Sequence, residues 1–447
     1  MTKVIFRFDT EDYVNKNAAD GVLRVINVLN NAGVKGVFSI VGEFAKALRE
    51  WGREDIVEAL KQHRIGTHSL RHSHHPTINE YTDIEDFDEA LRLFMEDEQK
   101  CLDILKEVFG LGKIDSCCAP GASVSYVAQY GYSELGVAAH VGGGGYFGDR
   151  NHGRVTKYAN ILTVKTSHYL DEIHTFTKPY IDGLLDGIAE NDDFCVFCHH
   201  PAMNVVDTFF DALNYNGENV PREGWIKSPE RSEADKALWI ENFEYLVKKV
   251  CEDERFCVVT DEYIINNYFT DPRVINRETL RQIKPLIDEA FFPVTQPDSY
   301  CLSDIFYACR DLLLGKEEYV CGKAYGLLSA PYAISGSVTV KAADMRESAK
   351  GLGDGFIPEK IRVGHIDMGP ADWMRAALCL LTEGGGTVTV REGAWQVDLR
   401  NFPEINGSTF KGSWVHAASF EDRFISDRIR LQLWTAMLPK NTERFIY

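Results

Sequence analysis

No run of about 18 consecutive apolar residues occurs in the 447-residue chain, so no transmembrane helix is expected. The opening MTKVIFRFDTEDY lacks the apolar core of a secretory signal and enters a strand-like run at once, and a cytoplasmic location is expected. Basic residues are scarce: 48 Lys and Arg against 67 Asp and Glu leave a formal charge of −19. Such a surface repels phosphate backbones and anionic lipid, so neither nucleic acid nor membrane is an expected partner. A zinc-ribbon pattern of cysteines is also missing. The 11 cysteines are odd in number and scattered, no CxxC pair has zinc-ribbon spacing, and Cys195 and Cys198 sit inside an apolar run. This excludes a secreted disulfide framework and fits reduced thiols in a cytoplasm. No repeat or low-complexity tract is present. The glycines Gly142–Gly145 are not followed by Lys and Ser or Thr, so they read as a flexible surface turn and not a phosphate loop.

What is present is ordinary globular material, with 45% hydrophobic and 26% charged residues and a length that calls for two domains. Through about residue 270, short β-rich runs alternate with helical patterns. Strands are expected over 4–8, 34–41, 64–69, 114–119, 161–166, 194–198 and 256–260. Helices are expected over 18–32, 44–63, 84–109 and 124–132. Strands alternating with helices imply parallel β/α units, with a barrel as the leading architecture and a doubly wound sheet as the second. In either, catalytic groups collect where strands end. Beyond about residue 271 the texture changes. A connecting helix over 275–291 is followed by helices over 303–313, 371–381 and 424–438 and strands over 338–341 and 384–392. The division expected is 1–275 for a catalytic domain and 276–447 for a smaller α+β domain. Trp373, Trp395 and Trp414 read as core residues of the latter, whose role (substrate binding, covering the site, or homo-oligomer formation) stays open.

Three clusters carry chemistry. Asp9, Glu11 and Asp12 follow directly on an apolar strand, where crowded carboxylates are costly unless paired or bound to metal. His68, His72, His74 and His75 fall within eight residues, and on a helical turn His68 and His72 would share one face and one ion. His199 and His200, followed by Pro201, end an apolar strand, a placement that suits a general acid or base. The long segment 202–229 carries Phe209, Phe210, Tyr215 and Trp225, either as a pocket wall, with Trp225 a candidate substrate contact, or as a loop packed on its own rings.

Taken together and in this order, the clusters resemble the polysaccharide deacetylases (the NodB-homology family, carbohydrate esterase family four). The matching elements span about residues 1–270: Asp9 to Asp12, then His68-Ser69-Leu70-Arg71-His72, then Cys118-Ala119-Pro120-Gly121, then His199-His200-Pro201. The resemblance implies a distorted (β/α) barrel with fewer than eight regular strands. It also implies a divalent ion, usually zinc, held by His68, His72 and one carboxylate, with Glu11 as first choice and Asp12 as the alternative. Asp9 matches the base that deprotonates the attacking water. His200, with His199 close behind, matches the acid that protonates the leaving amine. Ser69 is implied to hold the loop between the ligands, Asp171 to partner the late histidine, and Pro120 and Gly121 to lie on the substrate side. The chain departs from the family at Cys118, where relatives carry an Arg that pairs with the base. A thiol cannot make that bidentate contact, so another residue orients the base or activity is lowered. Three activities follow as expectations: metal-dependent N-deacetylation of an amino sugar or saccharide, hydrolysis of a non-sugar amide on the same fold, or sugar binding by a catalytically impaired protein.

Overall fold

Strand β1 (Thr2–Thr10) is buried along almost its whole length, on both faces. A strand with no solvent face lies inside a parallel sheet covered on both sides. In the computed structural model, which describes residues 1–120, 125–142, 153–392 and 411–442, β1 is the centre of such a sheet. It pairs in parallel with β2 (Val37–Ile40), with β9 (Phe194–His199) and, at its start, with β10 (Phe256–Val258). Outward from β2 come β3 (Arg64–Thr67), β4 (Ser116–Cys117), β5 (Ala139–Val141) and β7 (Ile161–Val164), and outward from β9 comes β8 (His168–Tyr169). Over residues 1–155 and 161–267 the sheet order is therefore β7-β5-β4-β3-β2-β1-β9-β8, with all these pairings parallel.

Within this stretch the strands at the two ends of the order, β7 and β8, are consecutive in the chain. Only Lys165, Thr166 and Ser167 separate β7 from β8, and so short a link spans at most roughly 14 Å. The sheet must curl until its ends come near one another, which makes it an open-sided β/α barrel. This is the distorted barrel expected from the sequence, and not the doubly wound sheet. Its helices bury one face each: Val22, Val25, Ile26 and Leu29 from the helix Asp20–Asn31 join Phe6, Phe8 and Phe38 in one core.

Several elements differ from expectation. The helix expected over 44–63 is two, Gly42–Trp51 and Glu54–Leu60, because Gly52 takes a left-handed conformation (φ 68°) and ends the first. Residues 68–77 contain no helix; the segment is an irregular loop in which Ser69 (φ 66°) and His72 (φ 53°) are both left-handed. The closing helix is short, Ile425–Leu431, followed by a 3₁₀ turn at Gln432–Thr435.

The chain divides into two units that a single cut does not separate. Among the described residues, 156–160 belong with the second unit and 411–425 with the first. The second unit holds helices Leu302–Leu313 and Pro370–Thr382, the paired strands Ser337–Lys341 and Thr387–Arg391, and β6 (Thr156–Tyr158). Trp373 is fully buried there against Phe306, with ring centroids 5.0 Å apart. Trp395 lies outside the described residues. Trp414 belongs to the first unit instead. No helix among the described residues is long and apolar enough to cross a membrane.

Candidate active site

Most groups of the site stand at or just past the carboxyl end of a strand, where parallel β/α folds place their chemistry. Asp9 and Glu11 come at the end of β1, His68 after β3, Cys118 after β4, Gly142 after β5, Asp171 after β8, and His199 and His200 at the end of β9. They enclose a cavity of about 270 Å³ lined by Asp9, Glu11, His68, His72, His200 and Asp211 together with three aromatic rings.

Glu11, not Asp12, faces the two histidines. Its Oε2 lies 3.3 Å from His68 Nε2 and 2.9 Å from His72 Nε2. Asp12 turns away: its Oδ1 accepts from the Val14 and Asn15 N–H groups and its Oδ2 from the Asn15 amide. Burial pushes the Asp12 carboxyl up to about 7. The His68-x3-His72 spacing works through the two left-handed residues of the loop and not through a helical turn. Ser69 Oγ accepts the His72 N–H at 3.0 Å and closes that loop. Of the other two histidines, His75 is spent on structure, bound to Glu80 and to the Tyr215 carbonyl, and His74 packs beside Tyr215.

Of the late pair, only His200 lines the cavity. Its Nε2 is 3.6 Å from Asp9 Oδ2 and its Nδ1 is 2.9 Å from Asp171 Oδ2. His199 points into the core against Trp239, ring centroids 4.1 Å apart, with its Nδ1 on Asp171 Oδ1. Burial lowers both imidazoles. In His200 the Asp171 charge, followed by Glu11, outweighs it and lifts the group to about 10. In His199 burial wins and the ring stays below its ordinary value.

The residue that sequence reasoning missed is Arg7. Fully buried in β1, it places Nη2 2.7 Å from Asp9 Oδ2 and contacts the thiols of Cys118 and Cys198. The signal was a charge inside an apolar run, Phe6-Arg7-Phe8, two residues from Asp9 and so on the same face of the strand. Burial pushes the Asp9 carboxyl up, but Arg7, then His68 and His200, outweigh it and hold it below the usual carboxylate range. Gly142 (φ 86°) makes room for the guanidinium, since a Cβ there would sit 2.4 Å from Arg7 Nη1. It is thus a wall of the site and not the surface turn expected; Gly143–Gly145 lie outside the described residues. His140 accepts from the Ala119 N–H at 3.0 Å and holds the Cys118–Ala119 turn.

The aromatic wall also differs from expectation. Trp225 is not among the cavity residues: it packs beside Tyr13 and donates to the Val220 carbonyl. The rings at the cavity are Tyr169, Phe209 and Trp414. Trp414 stacks on His72 at 5.3 Å and 22°, and Tyr169, 60% exposed, lies parallel to His200 at 6.3 Å. Pro120 is buried behind Cys118 and Ala119 and does not line the cavity; Gly121 lies outside the described residues.

A divalent cation fits this donor set. Glu11 Oε2 and His68 Nε2, both fully buried, have no hydrogen-bond partner, and they converge with His72 within 4.8 Å of one another. One carboxylate and two imidazoles is a set that suits zinc. Charge points the same way: Asp9, Glu11 and Asp211 are buried at this cavity, and buried anions need compensation. Two other groupings, Asp9-His68-Cys118 and Asp9-Cys198-His200, are close enough to share an ion, but each includes an atom already bound to Arg7.

No family model and no curated protein matches the chain. Solved structures similar to it include carbohydrate esterases of family 4. That of Streptomyces lividans, solved with acetate, is 10% identical over 57% of this chain and 91% of its own, with a TM-score of 0.31. A family 4 pseudoenzyme from Bacillus anthracis is 12% identical over 59% of this chain and 66% of its own, with a TM-score of 0.35. A 4-alpha-glucanotransferase from Thermococcus litoralis is 8% identical over 60% and 40%, with a TM-score of 0.41. The overlaps are partial, and they include an esterase, a glucanotransferase and a pseudoenzyme alike.

Proposed function

We propose that the first unit is a divalent-metal-dependent hydrolase that removes an N-acetyl group from an amino sugar or saccharide. The observation that carries this is the convergence of Glu11 Oε2 and His68 Nε2 with His72, beside a carboxylate paired with Arg7 and an imidazole paired with Asp171. Glu11, His68 and His72 would hold the ion, which when bound polarises the acyl oxygen and acidifies a water. Asp9, kept ionised by Arg7, takes the proton of the attacking water. His200, kept protonated by Asp171, gives its Nε2 proton to the departing nitrogen, so that amine and acetate leave as separate products. The two roles need opposite protonation states a few ångströms apart, and Arg7 and Asp171 impose them. Tyr169, Phe209 and Trp414 around a cavity of about 270 Å³ suit the apolar faces of a sugar ring. A cytoplasmic setting would favour a soluble saccharide or a glycan precursor over a wall polymer.

The thiol at Cys118 alone would favour a silent, sugar-binding protein. The Arg7–Asp9 pair removes that reason, because the base has its cation from another strand position. The test is metal analysis of the purified protein with acetate release from chito-oligosaccharides. We expect one divalent ion per chain, and release that is abolished by chelation and restored by Zn²⁺. A protein that binds no metal, or that holds metal and hydrolyses only small non-acetyl amides, overturns the reading.

A further inference from the structure

We propose that Asp211 is a positioning residue for His72, acting through Ser73 to fix which ring nitrogen faces the cation. The inference rests on the reading that His72 is a metal ligand. Ser73 Oγ donates to Asp211 Oδ2 at 2.9 Å, so its lone pairs face His72 Nδ1, with which it is in contact. Nδ1 itself lies 3.5 Å from Asp211 Oδ2. With the serine proton committed to the carboxylate, only an Nδ1–H can be accepted by that oxygen, and the proton of the neutral ring stays on Nδ1. The Nε2 lone pair then points at Glu11 Oε2, 2.9 Å away. Two lone pairs at that distance repel unless a cation lies between them, so the pin on Nδ1 prepares Nε2 for metal. His68 is set the same way from another side, its Nδ1 2.7 Å from the Cys118 carbonyl oxygen, which can only accept.

The carboxylate is itself held. Asp211 is almost wholly buried, its Oδ1 accepts the Ala212 N–H at 2.8 Å, and Asn214, three residues on, donates to the Ile226 carbonyl. Asp211 arrives on the same segment that leaves His200, so one stretch of chain sets both sides of the centre. Carboxylate-backed histidines of this kind fix ring orientation and raise ligand basicity, and their loss typically costs about 10- to 100-fold in metal affinity.

The experiment is a Zn²⁺ competition titration against a chelating dye on the full chain, with Asp211→Asn, Asp211→Glu and Ser73→Ala beside the unsubstituted protein. Nitrogen NMR of His72 in the metal-free state accompanies it. We expect Asp211→Asn to bind Zn²⁺ about 10- to 100-fold more weakly, Asp211→Glu to recover part of the loss, and the Nδ1–H signature of His72 to weaken in both Asp211→Asn and Ser73→Ala. Melting curves in chelator report folding; if Asp211→Asn does not fold, the Ser73→Ala affinity decides. Substituted proteins that melt lower but bind Zn²⁺ within twofold of the original show a merely structural carboxylate and overturn the proposal. An original protein that binds no Zn²⁺ overturns the metal reading as well, so the two failures are distinguishable.

Discussion

Arg7 and Cys118 show how a residue's place in space outranks its place in a motif. The cation paired with Asp9 sits two residues before it on the same strand, and Cys118, at the motif position, touches the same guanidinium. Removing a buried charge leaves its partner uncompensated, so Arg7→Met is expected to lower kcat on the order of 100-fold. Adding Cys118→Arg, which projects a guanidinium into the emptied space, should restore part of it. Steady-state kinetics on the single and double variants checks this; a double variant no better than the single one refutes the shared-space argument. Asp171 makes a second prediction. Its negative charge is the main influence that lifts His200 to about 10. In Asp171→Asn that support is lost and the imidazole gives up its proton earlier as pH rises. The alkaline fall of kcat should therefore begin about 1 to 3 pH units lower, read from the pH–rate profile. An unmoved limb excludes His200 as the acid.

Among the elements, the helix Phe87–Phe109 and the loop 68–77 were legible to different degrees. The helix follows from apolar spacing and an Asp86 cap, whose side chain accepts from the Glu89 N–H. The loop did not follow, because an i, i+4 histidine spacing has a ready helical explanation, whereas Ser69 and His72 are both held at positive φ. The same helix carries Glu98, buried and accepting from Thr67 just before His68. Burial raises this carboxyl from 4.5 to about 8. Between those values the folded chain holds a proton that the unfolded chain has released, so stability falls as pH rises across that window. Glu98→Gln, which cannot ionise, should flatten this decline, and melting temperatures of both proteins from pH 4 to 9 would show it. Parallel curves would place the pH sensitivity elsewhere.

At the level of the whole chain, residues 411–425 rejoin the first unit although more than 140 residues separate them from its last helix, Asp261–Asn267. They bring Trp414 onto His72, place the Val415 carbonyl under Thr77 Oγ1 at 2.9 Å, and give the Asp83 carboxylate the Phe424 N–H at 2.7 Å. A fragment ending at residue 275 loses all three contacts. It is expected to melt at least about 5 °C below the intact protein or to aggregate, as followed by thermal melts and gel filtration. A fragment as stable as the full chain, with an unaltered Zn²⁺ affinity, would show that the returning segment contributes nothing to the site.

Local pattern was enough for the alternation of strands and helices and for naming Asp9, His68, His72 and His200 as candidates, because strand burial, helix amphipathicity and the chemistry of each side chain are properties of short stretches. Only the tertiary structure shows that Glu11 and not Asp12 faces His68 and His72, and that His200 and not His199 lines the cavity. It also revealed Arg7 as the partner of Asp9, moved the aromatic wall from Trp225 to Trp414, and put Asp211 behind His72. Apart from the Arg7–Asp9 pair, whose members stand two residues apart on one face of β1, each of these is a contact between distant segments or a choice of which neighbour points inward. Such a choice depends on how the sheet curls and what packs against it, which no short stretch of sequence contains.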